Sequence, residues 1–175
     1  KLATIQMVEN ECDCEACKDA CRSRPCWPTP QEAQKLIDAG YGSQLMVDWW
    51  GMEAYYNPNK DIPVLCPAGV GHETKDASEL RTWLDFEAMP CVMHTAEGKC
   101  KLHGTLKPIE GRCGGPCTPT PNIHGAVADS WNNPEAFHLV WRWMQQTNYQ
   151  GKYKSEIEAW YRRQSPKPEV RAEAS

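Results

Sequence analysis

Five cysteines lie within the fifteen residues from Cys12 to Cys26, at positions 12, 14, 17, 21 and 26. Successive thiols are separated by one, two, three and four residues, so a short backbone segment can direct several sulfurs toward one point. Such spacing, and Cys14-x2-Cys17 above all, is typical of metal ligands. A thiolate is a soft donor that suits zinc, copper(I) or an iron–sulfur centre. The segment therefore predicts that metal binding organises this part of the fold.

A second set of cysteines begins at Cys91 and ends at Cys117. Together the two sets supply enough thiols for two four-coordinate sites, or for one cluster plus one zinc ion. The two sets could bind separate metals or converge on one. The predicted ligands are Cys14, Cys17, Cys21, Cys26, Cys91, Cys100, Cys113 and Cys117. Cys12, Cys66 and His103 are additional candidates, and the alternative for His103 is an ordinary solvated or core histidine.

Charges near the first cysteines are expected to favour their thiolate forms. Lys18, Arg22 and Arg24 lie among these cysteines, and neighbouring cations lower the pKa of a thiol. Cys26 precedes a predicted helix N-terminus at Thr29-Pro30, whose partial positive charge would favour a thiolate there. The sequence thus predicts lowered thiol pKa values around Cys26.

The composition of the whole chain is that of an ordinary globular domain. Its 175 residues are 41% hydrophobic and 24% charged, so it can bury a core without the disulfides on which small secreted folds depend. The ten cysteines allow disulfide bonding as an alternative, but bridges within the first crowded segment would be geometrically poor. A net charge of −4 disfavours a nucleic-acid partner, which usually requires a basic face. A metal ion, and then another protein, are the expected partners.

Hydropathy gives no sign of a membrane segment. No apolar run approaches the roughly 20 residues that a membrane helix needs, and no charged segment followed by an apolar one begins the chain. The sequence therefore predicts a soluble, cytoplasmic protein without a membrane partner.

The predicted fold is a small, irregular, cysteine-rich α+β domain over residues 1–164, stabilised by metal, with about four helices and short strands. Residues 165–175 are predicted to be a disordered tail. Capping signals predict a helix from Thr29-Pro30 to Gly40, and Asn133-Pro134 begins another, with a further helix after Gly151. The remaining expectations are a helix over 43–51, strands over 62–66 and 83–86, a hairpin turning at Glu97-Gly98, and a loop over 104–122.

These residues also carry a resemblance to a known family. Cys14-x2-Cys17-x3-Cys21-x4-Cys26, the helix after it, and Pro90-Cys91 with the later run 98–108 (Gly-Lys-Cys-Lys-Leu-His to Lys-Pro) resemble the YkgJ-like cysteine-cluster family. This family is described as a CxxCxxCC zinc- or iron-chelating domain. The resemblance covers roughly residues 12 to 117 and implies a metal-binding module without a proven reaction. Relatives in that family are thought to carry an iron–sulfur centre within larger modifying enzymes.

The predicted function is metal binding through cysteine thiolates, with two centres holding zinc or iron. One alternative is a [4Fe–4S] enzyme, or an enzyme subunit, in redox or modification chemistry. A second alternative is a disulfide-rich binding protein. The chain has no Ser-His-Asp order, phosphate-cradling glycine loop or His-Glu-x-x-His motif that would identify a reaction. Because residues 12–117 are dominated by predicted loops, we expect metal, and not the apolar core alone, to fix their fold.

Overall fold

The computed structural model describes residues 12, 14–50, 62–75, 90–113, 115–117, 121–151 and 154–164. Its helices are α1 (Glu15–Ser23), α2 (Pro30–Leu36), α3 (Ile109–Cys113), α4 (Ile123–Ser130), α5 (Pro134–Thr147) and α6 (Lys154–Gln164). Its strands are β1 (Leu45–Trp50) and β2 (Ile62–Pro67), which pair antiparallel. The predicted α+β class is confirmed, with six α-helices in the described ranges where about four were predicted. The predicted strand over 83–86 and the tail over 165–175 lie outside the described residues.

Helix α2 begins as the sequence predicts. The Thr29 hydroxyl accepts a hydrogen bond from the Glu32 backbone N–H at 3.3 Å, and the Glu32 carboxylate accepts one from the Thr29 N–H at 2.9 Å. This reciprocal pair satisfies two N–H groups that a helix N-terminus leaves unpaired. After Leu36 the chain widens into a π-turn in which Gly40 has a φ of +89°, a conformation that glycine adopts without steric penalty.

The helix predicted over 43–51 is wrong, because this segment forms strand β1. Leu45 to Trp49 are all buried, as in a strand that is covered on both faces. Hydrophobic periodicity does not distinguish such a short apolar run from a buried helix. Antiparallel pairing sets Met46 opposite Cys66 and Asp48 opposite Val64. The strand predicted over 62–66 is confirmed as β2.

Buried tryptophans join the helices to the sheet side of the domain. The indole N–H of Trp131 donates to the Pro28 carbonyl at 2.8 Å, and that of Trp143 donates to the Gly42 carbonyl at 2.8 Å. The indole N–H of Trp27 donates to Asp48 Oδ2 at 2.9 Å, so Asp48, which is only 4% exposed, has a hydrogen-bond partner for its carboxylate. Each aromatic body contributes apolar contact while its polar atom remains satisfied. The result is one hydrophobic core that α5 and β2 share.

Local structure near the cysteines differs from the prediction in three places. The first cysteine segment contains helix α1, and the segment predicted as a loop over 104–122 contains helix α3. Helix α4 was not predicted either. Neither α1 nor α4 has a side-chain hydrogen bond at its N-cap, so neither helix start carries the capping signal on which the predictions relied. The turn predicted at Glu97-Gly98 is present, and an antiparallel bridge joins His94 to Cys100 across it. None of the described helices is long and apolar enough to cross a membrane.

Glu32 joins α2 to α3, and its removal should destabilise the domain. Besides the cap, its carboxylate accepts hydrogen bonds from the Ile109 N–H at 3.2 Å and from Arg112 Nη2 at 2.9 Å. We expect Glu32→Ala to lower the free energy of unfolding by about 2 kcal/mol, because charged hydrogen bonds contribute roughly that much. Denaturant titration measures the change. Gln31→Ala, at an exposed position of the same helix, should change it by less than about 0.5 kcal/mol, and equal effects would contradict this role of Glu32.

Candidate metal centre

Four cysteine sulfurs converge where the start of α1 meets the segment after α3. Any two of these sulfur atoms lie within 4.8 Å of each other. The sulfur of Cys117 is 3.2 Å from that of Cys14 and 3.7 Å from that of Cys12. We call this set the four-thiol centre; its members are Cys12, Cys14, Cys17 and Cys117. Three come from one short segment and the fourth from about a hundred residues later.

The sulfur spacing is compatible with metal ligation and too long for a disulfide bond. A disulfide bond holds its sulfurs about 2.04 Å apart, far less than the 3.2 Å between Cys14 and Cys117. A tetrahedral zinc ion with Zn–S bonds near 2.3 Å places neighbouring sulfurs roughly 3.8 Å apart. The two distances above and the common limit of 4.8 Å therefore match four ligands of a single ion. No disulfide bond joins any two of the ten cysteines in the structure.

The start of helix α1 positions two of these sulfurs. Cys14 is the N-cap residue, with extended backbone (φ −63°, ψ 160°), and Cys17 lies in the first turn. N–H groups in that turn have no partner within the helix, and the N–H of Cys17 donates to the Cys14 sulfur. On the other side, a side chain built at Gly115 would lie 3.5 Å from the Cys17 sulfur. The helix start and this glycine segment thus enclose the centre from two directions.

Hydrogen bonds within the centre separate the thiol pKa values. The Cys17 N–H, followed by the thiols of Cys117 and Cys12, lowers the pKa of Cys14 to about 7. Side-chain hydrogen bonds with Cys14, Cys12 and Cys17 instead raise the pKa of Cys117 to about 12. Partial desolvation raises the pKa of Cys17. In the absence of metal, Cys14 is therefore the sulfur that loses its proton first.

The structure groups the predicted ligands differently from the two sets that the sequence suggested. Cys12, which the sequence left as an additional candidate, belongs to the four-thiol centre, because it is one residue from the N-cap thiol. Cys113 and Cys66 are fully buried within the hydrophobic core. His103 is exposed, beside a cavity that Cys100 also lines. The other four predicted ligands form a separate set, which we call the inner thiol group; its members are Cys21, Cys26, Cys91 and Cys100.

The cations that were expected to lower thiol pKa values make other contacts. Lys18 pairs with Glu15 at 3.1 Å, and Arg22 pairs with Asp19, because residues three apart are neighbours on a helix. Burial raises the pKa of Cys21, and the cation that opposes this rise is Lys107, a residue of the motif run 98–108 that was not expected to act on a thiol.

The expectation of a lowered pKa at Cys26 is wrong. Burial raises the pKa of its thiol well above the usual value, and the charges of Cys91 and Glu110 add to this effect. Helix α2 begins only at Pro30, so the positive end of that helix lies four residues beyond Cys26. Desolvation therefore outweighs the helix dipole at this thiol.

Behind the inner thiol group lies a buried polar network that sequence analysis missed. The Glu110 carboxylate, 8% exposed, accepts hydrogen bonds from the Trp27 backbone N–H and pairs with His124 Nδ1 at 2.6 Å. The His124 ring also packs on the Trp27 indole, with centroids 4.1 Å apart. These contacts join the residue that follows Cys26 to α3 and to the start of α4. No local sequence pattern connects Glu110 with Trp27, which lies 83 residues earlier.

No family model matches this chain, and no curated protein or solved structure matches it either. The chemistry of the centre is therefore inferred from its own geometry.

The separation of pKa values predicts the order in which thiols react. In metal-free, reduced protein at pH 7, we expect iodoacetamide to alkylate Cys14 well before Cys117 or Cys91, because only a thiolate is nucleophilic. The pKa of Cys91 is about 12. Since the pKa of Cys14 is lowered to about 7, its alkylation rate should rise as pH increases through neutrality and level off about one unit higher.

Peptide mass spectrometry of timed samples measures these rates. Protein loaded with zinc is the control, and in it Cys14 should be protected because a bound thiolate is a poor nucleophile. Alkylation of Cys91 at the same rate as Cys14 would contradict the separation of the thiol pKa values.

Proposed function

We propose that this protein binds one zinc ion at the four-thiol centre and uses it as a structural link. The single observation that carries the proposal is the approach of four cysteine sulfurs to within 4.8 Å of one another. Four protein ligands complete the tetrahedral coordination of zinc, and structural sites are closed in this way. A catalytic zinc site keeps one position open for water or substrate, and this centre supplies a thiol for every position.

The packing of α1 supports a structural role. None of the nine residues of α1 is buried, so hydrophobic contact alone holds this helix weakly. A helix of that length is also marginal by itself in water. Zinc bonded to Cys14 and Cys17 at the helix start and to Cys117 beyond α3 would fasten the helix to the domain. The free energy of metal binding would then add to the stability of this segment.

Two further considerations agree with this function. The motif that resembles the YkgJ-like family includes Cys14 and Cys17 of this centre and implies that its cysteines chelate zinc or iron, and this support rests on the motif residues alone. Free thiols at ligand spacing also suit a reducing compartment, so we propose a cytoplasmic location. Iron at the four-thiol centre is the alternative metal, since tetrahedral sulfur coordination suits both elements.

Metal content and ligand substitution test the proposal. We expect protein purified without chelator to contain about one zinc ion at the four-thiol centre, and Cys117→Ser should abolish its binding. Loss of a ligand should weaken zinc binding by more than the roughly 10- to 100-fold caused by removing a supporting residue. Competition with a chromophoric chelator measures the affinity. Cys66→Ala is the matched control, since Cys66 is a buried thiol outside the centre, and an equal loss there would contradict the ligand set.

Removal of the metal should release α1 while leaving the core folded. The core contains Trp131, Trp143 and Tyr149, each nearly inaccessible to solvent, so its stability does not depend on the four-thiol centre. We therefore expect chelator to increase amide hydrogen exchange across Glu15–Ser23, with little change in the near-ultraviolet signal of the tryptophans. The sequence predicted that metal fixes the fold of all of residues 12–117, whereas here we expect its removal to affect α1. Unchanged exchange in α1 after complete loss of zinc would contradict the structural role.

A further inference from the structure

A cavity of about 260 Å³ is lined by basic side chains from three parts of the chain. Lys18 comes from α1, Lys99 and His103 come from the segment that follows the turn at Gly98, and Lys107 comes from just before α3. We call this space the basic cavity. Among the residues that the structure describes, none that lines it is a carboxylate, and its other polar side chains are thiols. In a chain with a net charge of −4, this local excess of cations indicates an anionic ligand, because a cleft lined by one sign of charge concentrates the opposite ion.

Lys107 is the buried cation of the basic cavity, with only 8% of the residue exposed. In the described part of the chain, no carboxylate forms an ion pair with its ammonium group. Glu110, the nearest acidic residue along the chain, pairs with His124 instead. A buried charge without a counter-charge is costly. An anion in the cavity would supply the charge that Lys107 lacks.

The position of Lys107 is fixed by its contacts with α3. Its carbonyl accepts a hydrogen bond from Arg112 Nε at 3.0 Å. A Cβ atom built at Gly111 would lie 3.3 Å from Lys107 Cε, closer than a side chain normally packs, so the glycine leaves room for the lysine stem. A lysine that is already held in place loses less side-chain entropy when it binds a ligand.

The turn at Gly98 fixes the position of Lys99. The Lys99 N–H donates to the Thr95 hydroxyl at 3.2 Å, and the Lys99 carbonyl accepts from the Thr95 N–H at 2.7 Å. Gly98 has a φ of +78°, which glycine adopts without steric penalty. The Glu97 carboxylate of the same turn hydrogen-bonds with Thr95 and does not line the cavity. Lys99 is exposed, so it stands where a ligand enters from solvent.

We propose that the basic cavity binds a small phosphate-bearing anion, with Lys107 and Lys99 as its two principal contacts. Lys18 and His103 complete the lining. Lys18 already pairs with Glu15 at 3.1 Å, so the main contribution is assigned to the other two lysines. The inference goes beyond the proposed function, because neither a metal nor a thiol binds the anion.

Charge and size favour a phosphate group over other anions. A phosphate group carries nearly two negative charges at neutral pH, which matches a site with more than one lysine, whereas a carboxylate carries one. Lysine binds phosphate as a compact point charge with three N–H donors. The volume of about 260 Å³ lies just below the range of roughly 300–1,000 Å³ for ligand pockets. A phosphate ion or a small phosphate monoester therefore suits the cavity better than a nucleotide.

Titration calorimetry on the protein as purified, exchanged into phosphate-free buffer, tests the proposal. The probes are glycerol 3-phosphate and inorganic phosphate, and glycerol is the neutral control. We expect a single anion per chain, no binding of glycerol, and weaker binding as sodium chloride is added, because salt screens charges that solvent reaches. Tighter binding of the ester identifies an organic phosphate as the ligand, and equal binding identifies the free ion. Failure of both probes to bind would overturn the proposal.

Lysine substitutions distinguish a specific site from a general effect of charge. Lys107→Gln should weaken the binding of glycerol 3-phosphate by roughly tenfold or more, as the loss of a charged hydrogen bond does. Lys99→Gln should weaken it by a smaller factor, and its exposed position makes loss of the fold an unsuitable explanation. Lys35→Gln is the matched control, because Lys35 is exposed on α2 and does not line the cavity. Equal weakening in all three variants, or unchanged binding in the first two, would overturn the assignment.

Zinc content, measured on the same samples, keeps this proposal separate from the preceding one. Cys12 and Cys17 of the four-thiol centre also line the basic cavity, so the rival role for its lysines is to balance thiolate charge. We expect Lys107→Gln and Lys99→Gln to keep their zinc while anion binding weakens. A loss of zinc from Lys107→Gln, with anion binding unchanged, would overturn the proposal in favour of the rival role. Anion binding by a chain that contains no zinc would contradict the structural zinc alone.

Discussion

Sulfur atoms held as close as those of the four-thiol centre repel one another as soon as they ionise. Hydrogen bonds within the set separate the ionisations: the Cys17 N–H, followed by the thiols of Cys117 and Cys12, lowers the pKa of Cys14 to about 7, whereas side-chain hydrogen bonds with Cys14, Cys12 and Cys17 raise the pKa of Cys117 to about 12. A divalent cation bound by all four thiolates would remove the repulsion between them. Helix α1, which buries none of its residues, begins at two of these sulfurs.

Ionisation is also opposed around the inner thiol group, where the neighbouring charged groups are different. Around the inner thiol group, burial opposes ionisation, and the carboxylate of Glu110 opposes it further at Cys26. Lys107 acts in the opposite direction at Cys21 and Cys100. Glu110 itself is held by Trp27 and His124, so its charge is fixed in place. The chain thus surrounds its inner thiols with an arranged set of charges, whereas the four-thiol centre relies on backbone N–H groups near the surface.

Part of the fold could be predicted from the sequence, because the signals for it lie within a few neighbouring residues. The capping box at Thr29 and the Asn133-Pro134 start encode their helices within four residues, and both helices are present. Strand β1 was mistaken for a helix because its apolar residues at positions 45, 46, 49 and 50 recur at helical spacing. The cysteine spacing predicted metal ligands but not their grouping. Membership of Cys12 and Cys117 in one centre follows from how α1 meets the segment after α3, which is a tertiary property.

The wide separation of Cys117 from its partners also determines when the centre can form. It lies 105 residues after Cys12, so bringing the two together closes a long loop with a corresponding loss of chain entropy. During synthesis the ribosome exposes Cys12, Cys14 and Cys17 long before Cys117 exists, and domains generally begin to fold from their N-terminal side. The nascent chain therefore presents three of these thiols before the fourth exists, and a metal bound at that stage would keep an exchangeable position. The arrival of Cys117 would convert a labile complex into a kinetically trapped one.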